Sequence, residues 1–188
     1  MSILDGFTLD DLEYLIDLNP SMRGYVQGYL AELTLMRQLK VIEGVTAVMK
    51  IPDMSYRTGD FEVIYLGVPI TIECKSILSN TVTQDGLNDS WSGVVTIKRT
   101  SQECVVDGEK HRVSNIIKGG FDILALSCYA VSGEWDFQFI EEKYLPEHDT
   151  LPGFISTKFR INPQTTAGVT ENLKSLFDKV ISQKLASC

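Results

Sequence analysis

The chain is poor in the residues that small metal and disulfide scaffolds rely on. It has four cysteines and two histidines in 188 residues, and Cys74, Cys104, Cys128 and Cys188 lie far apart with no C-x-x-C pair. A structural zinc site therefore lacks donors. Cys74 and Cys128, inside apolar runs, read as small buried hydrophobes of a reducing compartment. No apolar run approaches the roughly 20 residues that span a bilayer. The opening Met-Ser-Ile-Leu-Asp-Gly has neither the basic start nor the apolar stretch of a signal peptide. The expectation is a cytoplasmic protein with no membrane partner. A Gly-rich phosphate loop and a nucleophile elbow are also missing, which leaves a small-molecule enzyme without support. His148 falls in Pro146-Glu-His-Asp-Thr, a surface-loop composition, and receives no role. Positive charge is scarce: 17 Lys and Arg against 25 Asp and Glu give a net charge of −8. That balance argues against a general nucleic-acid coat protein, but not against an enzyme with a locally basic cleft.

What is present is a well-cored composition, 44% hydrophobic, of a length that suits one domain over residues 1–188. Thr8 caps an expected helix from Leu9 to about Leu18, with Asp10, Asp11 and Glu13 suited to its N-terminal end. Asn19-Pro20 breaks it, and Pro20 and Ser21 introduce a second helix to about Lys40. Tyr25, Tyr29, Leu33, Met36 and Leu39 recur there at helical spacing. Strands are expected at Val45–Ile51, Asp60–Leu66, Ile70–Ser76, Val94–Lys98, Phe121–Ala130 and Trp135–Ile140. Cys104–Val113 reads as a hairpin about Asp107-Gly108, and Ser132-Gly133 as a reversal. A closing helix runs from Val169 to about Ala186. The order predicts an α/β fold, a mixed sheet with helices packed against it.

The chemistry concentrates in Gly59-Asp-Phe-Glu-Val-Ile-Tyr-Leu-Gly-Val-Pro-Ile-Thr-Ile-Glu-Cys-Lys75. With Gly67 and Val68 as the centre of a type II′ turn, Ile64 faces Thr71, Glu62 faces Glu73 and Asp60 faces Lys75. Alternation then puts Phe61, Val63, Tyr65, Ile70, Ile72 and Cys74 on an apolar face that should look into a core. Asp60, Glu62, Ile64, Thr71, Glu73 and Lys75 share the other. Three carboxylates so close raise one another's pKa, and a cation removes that cost. Lys75 supplies one charge, and a divalent ion would supply two. Hard oxygen donors suit Mg²⁺, which takes one or two carboxylates and completes its shell with water and phosphate. Lys75 would then orient a water nucleophile, or act as its base if its pKa were depressed. The plain alternative is a solvated strand face with an Asp60–Lys75 pair.

Asp60, twelve intervening residues, and Glu73-Cys74-Lys75 resemble the D…(D/E)-x-K signature of the PD-(D/E)XK nucleases. Ile70-Thr-Ile leading into Glu-Cys-Lys-Ser looks like that family's catalytic strand. Phe121-Asp-Ile-Leu-Ala-Leu-Ser-Cys-Tyr resembles the downstream core strand of its restriction-enzyme members. The resemblance runs from about Glu32 to Ile140 and implies a restriction-endonuclease-like fold. It implies hydrolysis of duplex DNA with Mg²⁺ held by Asp60 and Glu73, with Lys75 positioning the attacking water. A type II restriction enzyme working as a homodimer is the leading expectation. A homing or structure-selective nuclease, an RNA nuclease, or a non-catalytic nucleic-acid-binding module of the same fold are its rivals.

Pro52-Asp53 spells the family's literal "PD", yet it lies twenty residues before Glu73, so Asp60 is read as the ligand and Asp53 as a turn residue. Glu62 is a lesser candidate ligand. Glu32 falls on the stripe of Tyr25, Tyr29 and Met36, where an apolar residue is expected. A carboxylate there must be paired or metal-linked, and similar nucleases place an assisting acid on this helix. The family's usual helix after the catalytic strand is not visible: 77–120 shows no 3.6-residue period, suggesting an insertion or a very short helix. Substrate contacts are expected from Lys98, Arg99, Lys110, Arg112 and Lys118, a basic stretch in an acidic chain. Ser101, Gln102, His111 and the polar loop 80–91 are lesser candidates. Trp91 reads as a core cap, and Asp122 as a cap at a strand entrance.

Overall fold

The structure, a computed structural model, describes residues 6, 8–53, 58–85, 90–98, 102–106, 109–113 and 116–186, with backbone alone at 85, 102–106 and 109–113. Helix α1 spans Leu9–Leu18. Thr8 accepts the Asp11 N–H through its hydroxyl, and the Asp11 carboxylate accepts the Thr8 N–H at 2.9 Å. This reciprocal box satisfies donors that the first turn leaves unpaired. After Asn19, Pro20 opens α2 (Pro20–Lys40) at a position where a missing N–H costs nothing.

Strands β1 (Val45–Lys50), β2 (Phe61–Tyr65) and β3 (Val68–Ser76) form an antiparallel meander. The chain then makes β4 (Thr83–Asp85), β5 (Ser90–Thr96) and the hairpin β6 (Gln102–Val106) with β7 (Glu109–Val113). It re-enters the main sheet as β8 (Ile123–Ser127), parallel to β3. The short helix α3 (Tyr129–Ser132) ends at Gly133, whose φ of 76° permits the reversal into β9 (Phe137–Glu141). Short strands β10 (Glu147–His148), β11 (Leu151–Ile155) and β12 (Lys158–Ile161) precede the closing helix α4 (Leu173–Ala186). The main sheet is ordered β1-β2-β3-β8-β9, and a second one β12-β5-β4.

The fold is α/β as expected. One face of the main sheet presents Phe61, Val63, Tyr65, Ile70, Ile72 and Cys74 to Ala31, Leu35 and Leu39 of α2 and to Leu173, Leu176, Phe177 and Val180 of α4. The apolar face inferred for the hairpin is therefore a core face. On the opposite face Leu124, Leu126 and Ile140 pack with Ile77, Val95, Ile97 and Ile161 of the second sheet's region.

Several expectations need correction. The turn between β2 and β3 is Leu66-Gly67, not Gly67-Val68: Tyr65 pairs Val68, Glu62 pairs Thr71, and Phe61 pairs Ile72. Both turn residues have positive φ, 48° and 81°, the geometry whose twist suits a two-residue hairpin. The shift leaves each residue on its expected face but sets Asp60 across from Glu73. On α2, Tyr25, Tyr29 and Leu33 are 72%, 56% and 37% exposed; Ala31, Leu35 and Leu39 carry the burial instead. The strand expected at Val94–Lys98 starts at Ser90, where β5 pairs with β4. Helix α4 begins four residues later than expected. Thr170 is held in extended backbone by Phe139 (N···O 2.7 and 2.9 Å), and Asn172 then caps the helix by accepting the Ser175 N–H. The crossover from β3 to β8 contains no α-helix among the described residues; it is built of strands and one 3-10 turn, Ser79–Thr81.

Candidate active site

The site grows from the place where β2 begins beside the middle of β3. Gly59 precedes Asp60 with φ of 88°, and a Cβ there would run into Thr71 Cγ2 and lie 3.2 Å from the Ile72 carbonyl oxygen. Only glycine lets the chain cross so close to β3. Thr58, one residue earlier, donates its hydroxyl to the Gly120 carbonyl. Asp60 then enters the sheet. Its N–H bonds the Ile72 oxygen at 2.8 Å, and its carbonyl accepts the Ile51 N–H at 2.8 Å. Its carboxylate Oδ2 accepts the Cys74 N–H at 2.7 Å. Backbone on three sides thus fixes where this carboxylate points.

Lys75 Nζ lies 2.5 Å from Glu73 Oε1 and 3.4 Å from Asp60 Oδ2, and donates to the Cys74 carbonyl at 2.9 Å. Glu73 is buried, its side chain 7% exposed. Burial pushes its carboxyl above the ordinary range, and the Lys75 ammonium pulls the other way. For Lys75, burial opposes the charge, but Glu73 and Asp60 outweigh it and hold its pKa above that of a free lysine. Both carboxylates favour the charged ammonium, a form suited to orientation and charge stabilisation.

A second lysine completes the cluster, and sequence reasoning missed it. Lys50, at the end of β1, lies 2.6 Å from Glu32 Oε2, 3.4 Å from Asp53 Oδ1 and 3.7 Å from Asp60 Oδ1. Its ammonium also stands 5.3 Å from the centre of the Phe61 ring, a favourable place for a cation. Burial works against this charge as well, yet the surrounding carboxylates raise its pKa. Glu32 is half-buried; desolvation lifts its pKa while Lys50 lowers it. Asp53 is a turn residue as expected, but its carboxylate also accepts the Tyr29 hydroxyl at 2.9 Å and is held below the usual range by that bond. The signal for Lys50 was in the alternation of β1. Lys50 pairs with Phe61 as Val48 pairs with Val63, so it occupies a place where an apolar residue belongs. Glu32 is the matching misfit on α2, and the two answer each other.

The structure thus brings Glu32, Asp60, Glu73 and Lys75 into one cluster, linked through Lys50. Among the described residues no ion pair or hydrogen bond links the basic stretch to them. Lys98 is exposed beyond the end of β5, and Lys118 is half-buried in a turn beside Glu142. Lys110 and Arg112 lie on β7, where side chains are not described, and Arg99 and Ser101 fall outside the described residues. Asp122 serves the sheet: it accepts the Thr71 N–H at 2.7 Å and pairs with Lys184 at 2.7 Å. Trp91 is partly exposed and lines, with Gln38, Asp136, Gln138 and Glu171, a cavity of about 490 Å³. No helix among the described residues is long and apolar enough to cross a membrane.

No family model matches the chain, and no curated protein matches it. Among solved structures it is similar to a bacterial homing endonuclease, I-Ssp6803I, with 17% identity and a TM-score of 0.45 over 86% of this chain and 98% of that one. So loose a likeness leaves the chemistry to be read from the residues themselves.

Proposed function

We propose that the protein is a Mg²⁺-dependent endonuclease of the PD-(D/E)XK kind, hydrolysing phosphodiester bonds of duplex DNA as a type II restriction enzyme does, and that it acts as a homodimer. The observation that carries this reading is the convergence of Asp60, Glu73 and Lys75 on adjacent strands, with the lysine within 2.5 and 3.4 Å of the two carboxylates. Asp60 and Glu73 would hold the ion, assisted by Glu32. The donor set fits: hard carboxylate oxygens, with more negative charge than the two lysines neutralise. Among the described residues no three His, Cys, Asp or Glu side chains are grouped to hold an ion by themselves. Water and phosphate would complete the shell, as Mg²⁺ prefers.

When bound, the ion would lower the pKa of a water and neutralise charge on the phosphate. The protein's own groups do the rest. Lys75, kept protonated by Glu73 and Asp60, donates to the attacking water and to charge developing on phosphate oxygens. The Cys74 N–H holds Asp60 in one orientation, so little reorganisation is needed as the reaction proceeds. Lys98, Arg99, Lys110, Arg112 and Lys118 would track the DNA backbone.

Incubation with mixed duplex DNA, with Mg²⁺ and with chelator, tests the reading beside junction and RNA substrates. Discrete, recurring duplex fragments with Mg²⁺ alone support it. A single cut at a long site would make it a homing enzyme, and cleavage of junctions or RNA alone would replace the substrate. No cleavage of any substrate would leave a non-catalytic binding module.

A further inference from the structure

Away from the Asp60–Lys75 cluster, the cavity of about 490 Å³ beside β9 has a chemistry of its own. Its volume falls within the range of small-ligand sites. Phe137 and Phe139, whose rings lie 6.2 Å apart, give it an apolar side, and Trp91 adds a further aromatic wall. Asp136 and Glu171 bring two exposed carboxylates to the same space. Both act on the Cys128 thiol there: burial pushes it up, the Gln138 N–H pulls it down, and the two charges push it further up. Among the described residues no lysine, arginine or histidine lines the cavity, and neither carboxylate has an ion-pair partner.

The polar groups around it are set to accept. Gln138, 8% exposed, donates Nε2 to Glu171 Oε1 at 2.8 Å and so holds that carboxylate; its own carbonyl oxygen accepts no hydrogen bond among the described residues. A buried amide oxygen left open in a cavity is a place for a donor from outside. Gln38 gives its amide N–H to the Trp135 carbonyl at 3.4 Å, and Ser132 gives its hydroxyl to the Glu134 carbonyl at 3.2 Å. Two anions, an open amide oxygen and an aromatic wall remain. An anion would be repelled, and an uncharged apolar molecule would take water from the carboxylates without replacing it. A planar cation with several donors answers all three features, its edge meeting the oxygens and its face lying on the indole. An ammonium is a compact, strongly hydrated point charge that suits such a site less well.

We propose that this cavity binds a guanidinium group, held at its edge by Asp136, Glu171 and the Gln138 carbonyl oxygen and on its face by Trp91. Gln138 lies in one row with Lys75 across β8, about 10 Å away by two strand spacings. The ligand therefore sits beside the proposed catalytic cluster and not in it.

The test is calorimetric titration of the full chain with ethylguanidinium, butylammonium, the neutral ethylurea, and N-acetyl-arginine methylamide, which carries the same head on a capped residue. Both guanidinium probes are expected to bind once per chain and more tightly than butylammonium, with no binding of ethylurea. Asp136→Asn and Glu171→Gln, at exposed positions and checked for folding by thermal melting, are each expected to weaken the guanidinium probes by about tenfold. Binding of the capped residue at least as tight as that of ethylguanidinium would support the site with a polypeptide arginine as its source. Tighter binding of ethylguanidinium would support it with a free small guanidine. No binding of either guanidinium probe, ethylurea or butylammonium binding as tightly as they do, or affinities unchanged in both variants would overturn the proposal. No DNA enters the test, so a failure here leaves the nuclease reading standing, and a failure of that reading leaves this site untouched.

Discussion

At the scale of single residues, function turns on which charges are held and which are free to respond. Lys75 is pinned by two carboxylates, so its folded pKa lies above the unfolded value. The stabilisation it contributes is fully present below that unfolded value and is lost only as pH rises through the folded one, far above neutrality. Replacing it with alanine removes the group proposed to orient the water. Lys75→Ala is expected to retain the fold and lower single-turnover cleavage by about 10² to 10⁴. Glu142 offers an independent check on burial. Its side chain is 8% exposed by residue and its Oε1 has no hydrogen-bond partner. Burial raises its carboxyl pKa, with the Gly119 N–H and Lys118 pulling the other way. A carboxyl raised in the folded state contributes stability below its unfolded value and loses it as pH rises through the folded one. Glu142→Gln should therefore gain stability over the wild type as pH is raised from 4 to 8. Urea unfolding at both pH values measures the gap; a constant gap would contradict the assignment.

Among the elements, the hairpin β2–β3 sets the site, and its turn and entry are tight. Leu66 has φ of 48° and is 60% exposed, a strained place for a leucine. Leu66→Asn, which supplies the Asn-Gly pair this turn prefers, is expected to stabilise the protein by about 0.5–1 kcal/mol in urea denaturation. At the other end of β2, Gly59→Ala places a Cβ against Thr71 and the Ile72 carbonyl. The expected cost is about 1–3 kcal/mol, with cleavage falling further than stability alone explains because Asp60 moves with Gly59. Helix α4 anchors the same sheet from behind. Phe177 is fully buried with its ring 5.1 Å from that of Tyr65, whose hydroxyl donates to Asp178 at 2.6 Å. Phe177→Ala should cost about 3–5 kcal/mol. These elements were legible to different degrees. Thr8 and Pro20 mark helix starts by capping chemistry, which is local, and both helices begin where those residues place them. The register was misjudged by one turn position because a leucine at positive φ carries no sequence signal. Strand β11 went unnoticed since Pro152 and Gly153 interrupt any alternation.

Across the whole molecule, two layers lie on opposite faces of one sheet: α2 and α4 on one, and a second β-sheet on the other. The parallel pair β3–β8 requires a crossover, and among the described residues strands rather than an α-helix supply it, in keeping with the lack of a helical period over 77–120. The proposed catalytic trio was readable because it lies within one hairpin, so alternation alone gathers Asp60, Glu73 and Lys75. Lys50 was not, because its partners Glu32, Asp53 and Asp60 come from α2, the turn after β1 and the entry to β2, and meet only when the helix docks. In the sequence Glu32 reads as a lone charge on an apolar stripe; tertiary packing pairs it with Lys50. The central claim is that this cluster cuts DNA with a divalent ion. The most direct measurement compares cleavage of duplex DNA by wild type, Asp60→Asn and Lys75→Ala, with Mg²⁺ and with chelator. Cutting by the wild type with Mg²⁺ alone, and loss of at least about a hundredfold in both variants at a temperature where both are folded, is the predicted result. Cleavage that survives both substitutions, or that proceeds equally well in chelator, would contradict it.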